Sequence, residues 1–83
     1  MQRRKHERRS ITLRGTMLTS GSKAVIGCTI RNISEDGALL EAKGLTSVPA
    51  IFDLLIHYPD GTILRRRCKV VRHAGNQVGV SFQ

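Results

Sequence analysis

Residues 50–73 read AIFDLLIHYPDGTILRRRCKVVRH, and the fold turns on how this stretch is divided. Phe52, Leu54, Ile56 and Tyr58 recur at every second position, with Asp53 and His57 between them. That is the period of a strand with one face in a core. Ile51, Leu54 and Leu55 would also suit a helix, but period two accounts for more of the run. Pro59-Asp60-Gly61 then supplies hairpin-turn chemistry. After the turn, residues 62–73 form a long strand with Leu64, Cys68 and Val70 in phase. Arg66 falls in the same phase, which predicts a bulge or a strand-end position there. Arg65, Arg67 and Lys69 take the opposite, solvated face.

The same period extends outward from this hairpin. In residues 10–18, Ile11, Leu13 and Met17 share one face, and Gly15 interrupts it, which predicts a bulge or a bend. Residues 19–22 are turn chemistry. Residues 23–31 put Ile26, Cys28 and Ile30 on one face before a polar turn at 32–37. Residues 37–43 align Ala38, Leu40 and Ala42, and 44–49 connect. A last turn at 74–76 leads into 77–83, with Val78, Val80 and Phe82 inward. Six short strands around one thin core predict an all-β fold, a small six-stranded antiparallel β-barrel, which also removes exposed edges. No segment has the pattern of an amphipathic helix, so no C-terminal helix is expected. The chain divides into a flexible basic arm at 1–9 and a barrel at 10–83.

Composition narrows the function. Eighty-three residues make one small domain, and a hydrophobic fraction of 40% is enough to fold it. Fourteen basic residues against six acidic ones give a formal net charge of +8, which favours an anionic partner. Phe52, Tyr58 and Phe82 are the only aromatic residues, a poor supply of stacking platforms for single-stranded nucleic acid. Cys28 and Cys68 stand in alternating apolar runs and read as core residues. No CxxC or HxxxH spacing suggests a metal, and no serine or carboxylate pair is set for catalysis, so neither metal nor enzyme activity is expected. No apolar h-region follows the basic start, and no run approaches a membrane span of about 20 residues, so a cytoplasmic protein is expected.

The arm carries the chemistry. Residues 3–9 read RRKHERR, and the first nine residues carry five cations against Glu7 alone. With no apolar residue after Met1, the arm has nothing to bury, and its composition is that of a solvated tail. Guanidinium forks match phosphate oxygens and the O6/N7 edge of guanine, so a phosphate-bearing ligand would suit it. The polar turn offers a second set of groups in Asn32-x-Ser34-x-x-Gly37. Asn32 can donate and accept at a guanine edge or phosphate, and Ser34 can do either. Gly37 allows either a positive φ or a close ligand approach that a β-carbon would block.

Arg4-x-x-x-Arg8 followed by Asn32-x-Ser34-x-x-Gly37, across a strand pair, resembles the PilZ domain family. So do the Asp60-Gly61 hairpin, the basic strand after it and the closing Val78-Gly79-Val80-Ser81-Phe82. Members of that family bind the bacterial messenger cyclic di-GMP, which implies a ligand-binding signalling domain without a cofactor. The resemblance implies ligand contacts from Arg4, Arg8, Asn32, Ser34 and Gly37. Arg3, immediately before the first motif, implies an intercalated cyclic di-GMP dimer, whose four phosphate charges an extra cation would help to hold. A downstream protein partner is implied as well. The sequence departs from many members at Arg72-His73, where an aromatic residue is common, and in lacking a helix after the last strand. Two other readings are a small basic barrel binding nucleic acid nonspecifically and a PilZ-like interaction module without ligand.

Overall fold

The computed structural model describes residues 9–19, 24–45 and 48–83. It contains six strands: β1 (Arg9–Thr19), β2 (Ala24–Ile33), β3 (Gly37–Glu41), β4 (Ile51–His57), β5 (Ile63–Ala74) and β6 (Gln77–Phe82). All neighbours are antiparallel, in the order β1-β2-β3-β6-β5-β4, and β1 pairs with β4 to close a barrel. The described residues contain no helix. Residues 51–57 are therefore strand, and their burial alternates as period two requires.

Inward positions from every strand meet in one core. Met17, Ile30, Leu40, Leu54, Ile56, Cys68 and Val78 are fully buried, with Phe52 and Val80 beside them. Burying each large apolar side chain contributes about 1.5–3 kcal/mol. Leu45 and Val48, on the connection from β3 to β4, pack against this core. They cover the barrel end away from the β2–β3 hairpin. Cys28 and Cys68 are buried free thiols, in keeping with their reading as core residues.

Several local expectations change. β3 stops at Glu41, two residues short of Lys43, and β1 takes in Arg9. Gly15 marks neither a bulge nor a bend: its register with Cys28 and Ile56 is regular. It faces the core, and a β-carbon there would come within 2.9 Å of Cys28 Sγ and 3.1 Å of Ile30. Arg66 is not at a bulge either, since β4 and β5 pair without interruption from Ile51–Lys69 to His57–Ile63. Its guanidinium lies 4.2 Å from the centre of the Phe82 ring, which is how an inward-phase arginine is accommodated at the barrel end. The irregularity of β5 falls instead between Val70 and Arg72.

Candidate functional site

The β2–β3 hairpin carries the second motif, and its shape begins with an extra residue. Between β2 and β3, Ile30 pairs with Leu40 but Asn32 pairs with Leu39, so Arg31 is additional. Between β1 and β2, the register also shifts between Ser10 and Leu13, opposite the same point. A bulge of this kind re-aims the side chains that follow it. Here it reverses the phase: Ile33 packs against the core, and half-buried Asn32 takes the other face. The Ile30–Ile33 spacing in the sequence was the available signal, because two inward residues three apart break period two. Arg31 itself is exposed and forms an ion pair with Glu41 at 3.7 Å.

Ser34 organises the turn. Its N–H donates to the Gly37 carbonyl at 2.9 Å, and its hydroxyl is 3.4 Å from the same oxygen. The hydroxyl also accepts from the Asp36 N–H at 3.3 Å. Ser34 thus caps its own turn, as short polar side chains do. The turn is fastened to β6 by the Phe82 N–H, which donates to the Asp36 carbonyl at 2.7 Å.

Gly37 departs from the first of the two alternatives set out for it. Its φ is not positive; the described glycines with positive φ are Gly44, Gly61 and Gly75. The close approach it allows is made by β6, because a β-carbon on Gly37 would overlap the Val80 carbonyl oxygen. Gly37 pairs with Ser81, so this glycine seats the turn directly on the neighbouring strand.

The start of β1 runs beside this hairpin. Arg9 pairs with Ile33, and Ser10 with Asn32. The described start of the chain therefore adjoins the point where the second motif begins. Arg3, Arg4 and Arg8 lie outside the described residues, while Asn32, Ser34 and Gly37 share one hairpin.

The other basic cluster is largely engaged elsewhere. Arg65 donates two hydrogen bonds to Asp53 Oδ2, at 2.9 and 2.6 Å, and Arg67 reaches Oδ1 at 3.3 Å. The Arg65 hydrogen bonds are the main reason that the Asp53 carboxyl titrates below its ordinary value, with Arg67 adding to the effect. His57 Nε2 lies 3.0 Å from Thr16 Oγ1. Among the described residues, no three His, Cys, Asp or Glu side chains gather as a metal would need. No described helix is long and apolar enough to cross a membrane. One surface depression, about 600 Å³, runs past Thr16, Gly27, Thr29 and Lys43; a second, about 340 Å³, lies between Leu13 and Tyr58. Neither is lined by Asn32, Ser34 or Gly37.

Comparison with known proteins agrees with this architecture. No match was found among curated proteins. Among solved structures, the chain is similar to the Bacillus subtilis inhibitor of motility MotI/DgrA, with a TM-score of 0.79 at 17% identity. The similarity covers 100% of this chain but 43% of that one, so the chain spans less than half of that protein. It is also similar to the PilZ domain of CeSA from a cellulose-synthesizing bacterium, with a TM-score of 0.73 at 13% identity over 93% of this chain and 80% of that one. These likenesses are of fold. The PilZ domain model matches residues 2–83, a span that takes in both the basic arm and the Asn32 hairpin, and the chain belongs to the PilZ domain family.

Proposed function

We propose that the chain is a cyclic di-GMP receptor domain in which residues 1–8 close over the ligand onto the β2–β3 hairpin. Cyclic di-GMP presents two phosphates and two guanines. Arg4 and Arg8 fork onto phosphate oxygens or the O6/N7 edge of guanine, and each good bidentate contact to the base discriminates by about 1–3 kcal/mol. Arg3 adds the charge needed for an intercalated ligand dimer. Asn32, turned outward by the Arg31 bulge, reads a guanine edge. Ser34 and Gly37 hold the hairpin in the shape that presents Asn32, with Ser34 also within reach of phosphate.

The observation that supports this reading is the pairing of Arg9 with Ile33 and Ser10 with Asn32, since it joins the arm to the barrel beside the second motif. The arm has only charged and polar groups to offer after Met1, so its closure draws on the ligand's phosphates and is coupled to binding. The closed surface then passes the signal to a partner.

Competition binding tests the assignment. The full chain should prefer cyclic di-GMP over GTP and cyclic di-AMP, and Arg8→Ala should remove that preference. A nonspecific nucleic-acid binder would instead bind any sequence, with affinity falling steeply as salt rises. Equal affinity for all three nucleotides would refute the receptor reading.

A further inference from the structure

Two register irregularities, on different strands, have the same effect. On β2, Arg31 is additional, and Asn32 faces outward where unbroken alternation would have turned it inward. On β5, Val70 pairs with Val80 and Arg72 with Gly79, so Val71 is additional. Cys68 is fully buried and Val70 packs against the core, so unbroken alternation would turn residue 72 inward as well. Instead Arg72 stands opposite Gly79, which lies between buried Val78 and Val80 and therefore faces out. A β-carbon on Gly79 would be 3.6 Å from the Arg72 β-carbon, which places both on the outer surface. The Val71 bulge has re-aimed Arg72 just as the Arg31 bulge re-aims Asn32.

The two re-aimed residues share one row across the sheet. Asn32 pairs with Leu39, Leu39 with Gly79, and Gly79 with Arg72. Three strand spacings, about 14 Å, separate the ends of the row. The strands that carry it, β2, β3, β6 and β5, each have a paired strand on both sides, so the row lies in the interior of the sheet.

Between its ends the row is low and apolar. Leu39 is half-buried, and Gly79 has no side chain to raise the floor. At the far end Arg72 is exposed, and it makes no hydrogen bond or ion pair with another described residue. Other arginines of β5 are engaged: Arg65 and Arg67 are held by Asp53, and Arg66 lies on the Phe82 ring.

We propose that Arg72 is a second anchor for the nucleotide. With one guanine held at Asn32, the rest of the ligand lies across Leu39 and Gly79, and the Arg72 guanidinium takes the O6/N7 edge of the far guanine. This rests on the receptor reading and goes beyond it, since Arg72 belongs to neither the arm nor the Asn32 hairpin. Gly79 leaves room for a flat base, and the Val71 bulge turns a cation to meet it. The row also selects by length: a ligand with a base at each end engages both anchors, whereas a single base reaches one.

Calorimetric titration of the full chain with cyclic di-GMP and with cyclic di-AMP, alongside thermal melts, tests the anchor. Arg72→Ala should weaken cyclic di-GMP binding by about tenfold or more, with the thermal midpoint retained. Cyclic di-AMP, whose adenines present an amino group where guanine has O6, should lose less than about twofold. Arg14→Ala removes the same charge from an exposed position of β1 outside the row, and should weaken cyclic di-GMP by less than about twofold. Gly79→Val raises the floor, and its β-carbon would meet nothing nearer than 3.6 Å, so it should keep the midpoint and lose messenger affinity. Wild-type affinity in Arg72→Ala or in Gly79→Val would overturn the anchor. So would a loss matched by Arg14→Ala, or an equal loss for both nucleotides. These results presuppose a wild type that binds cyclic di-GMP; a wild type that binds none overturns the receptor reading and the anchor together.

Discussion

Gly37 sits so close to Val80 across the β3–β6 pairing that no side chain fits between the glycine and the Val80 carbonyl oxygen. The glycine of the Asn-x-Ser-x-x-Gly motif therefore serves the barrel before it serves a ligand. Its replacement should cost folding stability in the complete absence of nucleotide. Gly37→Ala is expected to lose about 1–3 kcal/mol in urea denaturation, the usual cost of forcing extra volume into a packed site. Unchanged stability would mean that the β3–β6 contact is looser than described.

Two other glycines should behave in opposite ways. A β-carbon at Gly15 would crowd Cys28 and Ile30, whereas one at Gly27 would meet nothing within 4 Å. Gly15→Ala should therefore destabilise by about 1–3 kcal/mol. Gly27→Ala should be neutral or stabilise by about 0.4–1 kcal/mol, because it restricts the unfolded chain without a folded-state clash. Thermal melts of the two variants, measured side by side, check the contrast.

The buried thiols give stability an alkaline limit. Burial pushes both Cys28 and Cys68 up to about 11 from an ordinary value of 9.0. Between these values the unfolded chain loses thiol protons that the folded chain keeps. Stability from this source is complete below pH 9.0 and falls as pH rises toward about 11. The effect is bounded at about 1.4 kcal/mol per thiol per pH unit. Denaturation at pH 8 and pH 10.5 should show the wild type losing more stability than a Cys28→Ala, Cys68→Ala double variant. Parallel losses would count against it.

The strands were legible because period two is written plainly into residues such as Phe52, Leu54 and Ile56, whose burial follows it. The hairpin turns were legible from Pro59-Asp60-Gly61 and Ala74-Gly75-Asn76, which punctuate the runs. Register was carried only as a hint, in the three-residue spacing of Ile30 and Ile33. The extra residue at Arg31 depends on how three strands align, and local composition does not encode that alignment. Arg66 broke the pattern for a tertiary reason, a Phe82 ring sixteen positions away that accepts its guanidinium. Gly37 was legible as indispensable but not as to why, since the obstructing oxygen belongs to β6. Of the candidate site, the hairpin half is described in the structure, and the roles of Arg3, Arg4 and Arg8 rest on their spacing and on the family.

Calorimetric titration of the full chain with cyclic di-GMP tests the central reading most directly. The account predicts a saturable heat with two messengers bound per chain, abolished by Arg8→Ala and by Asn32→Ala in variants that melt like the wild type. Saturation at one messenger per chain would contradict the ligand dimer. No heat at high micromolar messenger would contradict the receptor function itself.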